Sequence, residues 1–221
     1  MWQWLTAQNV RLRALRQDWQ SAEWLAVDLE TNGLDCDASG ILSAAWVPLS
    51  AHGLDLSAAA YHVVRSASSL TQSAIYHGLR EADIRAGDDL GQVMEQLAKA
   101  LEGRILVAHN AAFDWRLLRQ AADQTGVALN PLGILDTLTL ERRRLHHQYR
   151  HDQMGQEPAG AYTLTACRRR YNMPDVPAHH ALEDAIACGE LFLAQAWQVS
   201  RGQPLSAADL LRQSRSRLLA A

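Results

Sequence analysis

The stretch Trp24-Leu25-Ala26-Val27-Asp28-Leu29-Glu30-Thr31-Asn32-Gly33 reads as a buried strand that ends in acid. Side chains alternate across a strand, so Asp28 and Glu30 share one face while Val27 and Leu29 enter the opposite layer. Neither carboxylate has an adjacent Lys or Arg in the sequence. Like charges held this close raise each other's pKa unless a cation sits between them. A divalent metal answers that need, because hard ions such as Mg²⁺ take carboxylate oxygens together with water and phosphate oxygens. A strand end that merely opens a turn is an equally good reading of this motif by itself, so partners elsewhere in the chain decide.

Working outward, Ile41–Leu49 and Ala58–Val64 are strand-like and separated by turn-forming residues 50–57, which predicts an antiparallel meander of three strands. A polar connector containing His77-Gly78-Leu79 follows. Leu90, Val93, Met94, Leu97 and Leu101 then recur at helical spacing, predicting a helix over 88–101 closed by Gly103. Ile105–Ala108 reads as a fourth strand, Phe113–Gln124 as a helix, and Gly133–Leu135 as a fifth strand running into Asp136-Thr137. Residues 141–161 are polar, basic and rich in His, Gln and Gly, and are read as a long excursion without regular periodicity. Helices are predicted over Leu164–Tyr171, Ala181–Val199 and Ala207–Leu219, with a short amphipathic one over Thr6–Asp18 ahead of the fold. A meander that gives way to alternating helices and strands indicates an α/β class, a mixed sheet with helices on its faces. The expected division is an N-terminal helical extension over 1–22, a main domain over 23–200 and a C-terminal helix over 201–221.

Composition narrows the function classes. A length of 221 residues suits one domain with extensions. No apolar run approaches the ~20 residues that span a bilayer, and the opening residues lack the pattern of a signal peptide. A soluble, cytoplasmic chain with no membrane partner is expected. Cys36, Cys167 and Cys188 are odd in number and show no CxxC spacing, which suggests reduced core residues rather than a disulfide framework or a zinc site. The net charge of −3 argues against indiscriminate nucleic-acid binding, but Arg142-Arg143-Arg144 and Arg168-Arg169-Arg170 form two local basic runs in a chain with the single lysine Lys99. His147 and His151 stand at i, i+4 spacing with His146 beside them, yet no third ligand is well placed, so these histidines are read as solvent-facing.

Two further segments carry acids. In His109-Asn110-Ala111-Ala112-Phe113-Asp114, Asn110 is expected to cap a helix, Phe113 to enter the core, and Asp114 to fall in the first turn, where the helix dipole favours negative charge. In Ala178-His179-His180-Ala181-Leu182-Glu183-Asp184-Ala185, the core stripe is read as Leu182, Ile186, Gly189 and Leu193. The small residues Ala181, Ala185 and Cys188 lie on the side of Asp184 and let that helix approach the sheet. His179, just ahead of the helix and after Pro177, is the side chain suited to take a proton near neutral pH. Each segment alone has an adequate structural explanation.

Together, Asp28-x-Glu30, His109-Asn110-x-x-Phe113-Asp114 and His179-x-Ala181-x-x-Asp184-Ala185 resemble the three motifs of the DEDDh exonuclease superfamily. Over residues 24–197 the chain is similar to the proofreading (epsilon) exonuclease subunit of bacterial DNA polymerase III, and Thr31, Gly33, His77-Gly78-Leu79 and Asp136-Thr137 are smaller marks in the same order. The resemblance implies a ribonuclease H-like fold, with a five-stranded mixed sheet and helices on both faces. It also implies 3′-to-5′ removal of nucleotides as nucleoside 5′-monophosphates.

Carried over residue by residue, Asp28, Glu30, Asp114 and Asp184 would hold two divalent ions, Mg²⁺ or Mn²⁺, and His179 would be the general base, with His180 one residue too late for that role. Thr31, Leu34, His109, Asn110 and Phe113 would lie on the substrate side, Leu34 as a wedge against the bases. The implied partner is a nucleic acid with a free 3′ end, DNA ahead of RNA. No stable polymerase association is expected, because the sequence ends soon after the third motif's helix, and a homodimer stays open. Arg142, Arg143, Arg144 and Arg150 are expected to line the approach of the substrate strand, with plain exposed surface as the alternative. An RNA-trimming enzyme, which would differ in contacts to the 2′-hydroxyl, and a non-catalytic accessory module are the other readings. The presence of all four acids and the histidine favours a catalyst.

Overall fold

The computed structural model of the chain describes residues 11–33, 40–66, 78–151, 159–177 and 179–214, with the backbone alone for 147–151. Leu34, Cys36, His77 and Arg150's side chain lie outside the described residues, as do the first part of the expected N-terminal helix and the end of the expected C-terminal one.

Strand β1 (Trp24–Thr31) is central, with β2 (Ile41–Ser50) antiparallel on one side from Trp24↔Leu49 to Glu30↔Ser43. The pairing register shifts between Glu30 and Thr31. Irregularities of this kind re-aim side chains at a strand end, here just where the acids sit. The outer edge of β2 is shared by β3 (Gly53–Leu54) and β4 (Ala60–Val63). On the other side β5 (Ile105–Ala108) runs parallel to β1, and β6 (Ile134–Asp136) parallel to β5. The mixed sheet therefore matches the sequence reading, with the two-residue β3 added inside what had read as turn.

Residues 11–16 are helical, and among the described residues after β1 seven α-helices follow in order: α1 (Glu81–Arg85), α2 (Leu90–Leu101), α3 (Ala111–Thr125), α4 (Thr137–His151), α5 (Leu164–Arg170), α6 (Ala181–Ser200) and α7 (Ala207–Gln213). The alternation of β1 is realised. Leu25, Val27 and Leu29 pack with Val93, Met94 and Leu97 of α2 and Leu117 and Leu118 of α3, while Trp24 and Ala26 pack with Phe192 and Ala196 of α6 and Leu210 of α7. No described helix is long and apolar enough to cross a membrane.

Two sequence expectations are corrected. Residues 141–151 are not an irregular excursion but the greater part of α4. An apolar stripe is a poor guide there because the helix is anchored by charge. Glu141 is fully buried and accepts from Arg144, Arg170, Tyr171 and Gln195, with Leu140 and Leu145 filling the gaps. The buried stripe of α6 is also different: Ala181, Ala185, Cys188, Gly189, Phe192 and Ala196 face the sheet, whereas Leu182, Ile186 and Leu193 sit at its margins. The first half of the helix lies close enough to the sheet to leave room for small side chains only, and Phe192 fills the wider space further along.

The terminal segments are woven together. Trp19 is buried against Phe192 and Trp197, its N–H donates to the Leu205 carbonyl at 2.8 Å, and the Ala207 N–H donates to the Gln17 carbonyl at 3.0 Å.

The tightest approach of α6 to the sheet is at Gly189, where an added Cβ would stand 3.2 Å from Leu54 Cδ2 and 3.4 Å from Ala26 Cβ. In Gly189→Ala the crowding is opposed by the roughly 0.5–1 kcal/mol gained on replacing a mid-helix glycine, so a small net change is expected. Gly189→Leu must push the helix off β1 and should lose ~1–3 kcal/mol, typical of overpacking. Urea midpoints measure both, and an unchanged midpoint for the leucine variant would contradict this packing.

Candidate active site

Asp28 and Glu30 emerge on the α6 side of β1, following the parity of Trp24 and Ala26. Asp184 comes from the first turn of α6 and Asp114 from the first turn of α3. The structure gathers one carboxylate oxygen each from Asp28, Glu30 and Asp184 within 4.8 Å of one another, the one such group among the described residues. Asp114 stands outside that trio. It is only 4% exposed, and among the charges acting on Asp28 its effect is the largest.

Burial raises the pKa of every member, and the charges of neighbouring acids add to it at Asp28, Glu30 and Asp114. Burial, and then the charges of Asp114, Asp184 and Glu30, hold the Asp28 carboxyl well above the ordinary range. Burial and the Asp184 charge push Glu30 up to about 7. Burial, followed by the charges of Asp136 and Glu30, pushes Asp114 up to about 8. Asp184 is raised by burial, against the lowering effect of a backbone hydrogen bond from His179. Hard oxygen donors that repel one another fit a divalent cation such as Mg²⁺ or Mn²⁺, which replaces the protons these groups otherwise retain.

The two histidines at the start of α6 part ways. His179 is exposed, has left-handed backbone (φ +70°), and donates its N–H to Asp184 Oδ2 at 2.8 Å. His180 turns back onto the sheet, its ring stacked on Tyr61 at 4.8 Å and 21°.

Around Asp114 the expected capping is corrected. Asn110 occupies the cap position of α3, but with φ +70° and no capping bond from its side chain. Asparagine tolerates this left-handed geometry. The cap comes instead from Asp136 at the end of β6. Its Oδ1 accepts from the N–H groups of Asn110 (3.0 Å), Ala111 (3.4 Å) and Leu138 (3.1 Å), and its Oδ2 from the Thr139 hydroxyl (2.6 Å). One buried carboxylate thus starts both α3 and α4, and so sets where Asp114 stands. The acid at a strand end followed by Thr137 and Thr139 was the available sequence signal for this role.

The remaining residues sort by their contacts. Phe113, half-buried on the first turn of α3, packs against the core shared by β1, α2 and α3. Thr31, on the irregular end of β1, donates its hydroxyl to the Gly33 carbonyl at 2.7 Å. The His109 ring lies between Thr137 Oγ1 (Nδ1, 2.9 Å) and the Tyr162 carbonyl (Nε2, 2.8 Å), and burial lowers its pKa. A carbonyl only accepts, so the neutral ring carries its proton on Nε2 and takes the Thr137 hydroxyl at Nδ1. His109 therefore ties the end of β5 to α4 and to residue 162.

The arginines of the two runs make contacts within the protein, Arg142, Arg143 and Arg169 from exposed positions. Arg142 lies 5.0 Å over the Tyr162 ring, Arg143 donates to the Arg212 carbonyl at 2.7 Å, and Arg144 pairs with Glu141 at 2.5 Å. Arg168, 2% exposed, bonds the Ala187 carbonyl and Glu190, Arg169 pairs with Asp175, and Arg170 pairs with Glu141. A run of like charges in sequence is dispersed in space because successive helical residues point about 100° apart.

Two outcomes are expected. Asp136→Ala strands buried backbone donors, each worth roughly 1–3 kcal/mol, and should lower the urea midpoint much more than Asp136→Asn, which keeps an acceptor oxygen. Equal midpoints for Asp136→Ala and wild type would contradict the double cap. For pH, a carboxyl whose folded pKa is raised contributes stability that is full below its unfolded pKa of about 4 and is lost as pH rises through its folded value. In chelator, the melting temperature should therefore fall as pH rises from about 4 to about 7 for Glu30 and to about 8 for Asp114. A flat profile across that window would contradict the crowding.

A family model described as "Exonuclease" matches residues 25–192. A DNA polymerase III subunit epsilon-like protein of Rhodobacter capsulatus is 32% identical over 124 residues, 55% of this chain and 16% of that protein. A 3′-5′ exonuclease DinG of Staphylococcus haemolyticus is 28% identical over 122 residues, 55% of this chain and 12% of that protein. The chain thus spans only a small part of these relatives' lengths. Among solved structures, E. coli exonuclease I bound to single-stranded DNA superposes with a TM-score of 0.66 at 15% identity, covering 83% of this chain and 41% of that one. Exonuclease X in complex with 5′-overhanging duplex DNA superposes with a TM-score of 0.58 at 20% identity, covering 87% of this chain and 99% of that one. These superpositions establish a shared ribonuclease H-like fold, and with a family match over all three acidic motifs the chain belongs to the exonuclease family.

Proposed function

We propose that this chain is a metal-dependent 3′-5′ exonuclease that removes nucleoside 5′-monophosphates from DNA ends. The observation that carries the reading is the convergence of Asp28, Glu30 and Asp184 within 4.8 Å, with buried Asp114 behind them and exposed His179 at the start of the same helix as Asp184. Asp28, Glu30, Asp114 and Asp184 hold two Mg²⁺ or Mn²⁺ ions. When bound, such ions acidify a water and neutralise charge on the scissile phosphate and its leaving oxygen.

The chain's own residues do the rest. His179, within the reach of solvent, takes the proton of the attacking water at a ring nitrogen. The water oxygen bonds to phosphorus as the bond from phosphorus to the 3′ oxygen breaks. That oxygen takes a proton from solvent and becomes the new 3′ hydroxyl, and His179 returns its proton to solvent. Thr31 meets the terminal nucleotide, and Asn110 supports the site from the start of α3. Phe113 and His109 hold β5 and α3 in place behind them. DNA is the substrate class favoured by the complexes in which exonuclease I and exonuclease X were solved.

Oligonucleotides labelled at the 3′ or the 5′ end, incubated with Mg²⁺ or Mn²⁺, test the reading. Loss of the 3′ label as a 5′-monophosphate is expected, abolished by chelator and by Asp28→Ala. His179→Ala should lower the rate ~10²–10⁴-fold, the range for loss of a general base, with cation binding retained. Undiminished cleavage in excess chelator, or by Asp28→Ala, would overturn the assignment.

A further inference from the structure

We propose that Tyr61 is a positioning residue for this reaction, acting through its stack on His180 to fix the turn that carries His179. The inference rests on the reading of His179 given above. Tyr61 lies opposite Ala45 on β2, and Ala45 lies opposite Asp28 on β1, so the three share one row and one face of the sheet. The start of α6 sits on that face through Ala181 and Ala185, which pack on Ala45 and Val47 with Tyr61 at their edge. The His180 ring closes over Tyr61 at 4.8 Å with the planes 21° apart.

His180 needs this contact. Its Nδ1 is buried and meets no hydrogen-bond partner among the described residues, so stacking sets the ring's orientation. Its backbone begins the helix, with the Asp184 N–H donating to the His180 carbonyl at 2.9 Å. Directly before it, His179 is held at φ +70°, a conformation that a non-glycine residue keeps only where its surroundings over-determine it. One restraint is the bond from the His179 N–H to Asp184 Oδ2 at 2.8 Å. Asp184 also faces Asp28 and Glu30, so its carboxylate is shared with whatever those acids hold. The Tyr61–His180 stack is a restraint that does not depend on that carboxylate. It ties the turn to β4, and through β2 to the strand that bears Asp28 and Glu30.

The test compares Tyr61→Ala, Tyr61→Phe, His180→Ala, His180→Phe and the double variant Tyr61→Ala/His180→Ala, by steady-state cleavage of a single-stranded oligonucleotide and by amide hydrogen exchange read by NMR. Misplacing a catalytic group slightly is enough to lose about ten- to a hundredfold in turnover, so Tyr61→Ala and His180→Ala should lose kcat by that factor with KM unchanged. The phenylalanine variants keep a stacking ring and should stay near wild type. The double variant should lose no more than either single one. Exchange of the His179 amide should quicken about tenfold or more in Tyr61→Ala while Leu191 and Phe192, deeper in α6, keep their protection.

Wild-type kcat and wild-type exchange in both alanine variants would overturn the proposal, as would additive losses in the double variant or a Tyr61→Phe loss equal to that of Tyr61→Ala. His180→Ala changes no sheet residue and serves if Tyr61→Ala does not fold. If wild-type protein cleaved nothing, the proposed function would fall, while the exchange measurement would still decide whether Tyr61 holds the turn.

Discussion

Four carboxylates crowded at the end of one strand repel each other, and the rest of the structure is arranged to hold them there. Asp28 and Glu30 have no freedom to separate, because β1 is paired with β2 through both of them, with β5 over Trp24–Ala26, and is packed on both faces. Asp184 is delivered by a helix whose sheet-facing side is made of Ala181, Ala185, Cys188 and Gly189, so that its first turn can reach the strand ends. Asp114 is delivered by a helix whose start is fixed by Asp136 from the neighbouring strand. The hydrophobic layers on either side of the sheet provide the stabilisation that opposes this repulsion, which is how strained or repulsive sites persist in folded proteins.

The acids were legible in the sequence because each follows a simple local rule. Alternation on β1 set the common face of Asp28 and Glu30, and the strand-to-helix passage at His109-Asn110 set the first-turn position of Asp114. Periodicity also located α2, α3 and most of α6. What escaped notice depends on contacts distant in sequence. Asp136 caps α3 from 26 residues away, and Tyr61 meets His180 across more than a hundred residues. The buried stripe of α6 was misread because hydrophobicity points to Leu182 and Leu193, whereas the close helix-to-sheet approach at Gly189 selects for small size.

The arginines show the same limit from the other direction. Their density in the sequence suggested a surface for phosphates, but Glu141 alone gathers Arg144 and Arg170, and Arg168 is drawn into the interior beside α6. A buried carboxylate needs such partners, and helix α4, short of apolar stripe, is held by them. The positive charge of Arg144, Arg168 and Arg170 is thus spent on joining α4, α5 and α6, while Arg142, Arg143 and Arg169 stay exposed. This assembly fixes the residue 162 carbonyl that holds His109, and so connects to the back of the acidic site.

The central claim is that repulsion among these acids is held in the fold and relieved by a divalent cation. Melting temperatures of wild type and Asp28→Asn, each with chelator and with Mg²⁺ or Mn²⁺, test it most directly, because a bound ion stabilises the folded state it prefers. The expected result is that the cation raises the wild-type melting temperature, and that Asp28→Asn melts higher than wild type in chelator and responds little to the ion. Equal melting of the two proteins in chelator, with no response of wild type to either cation, would contradict the account.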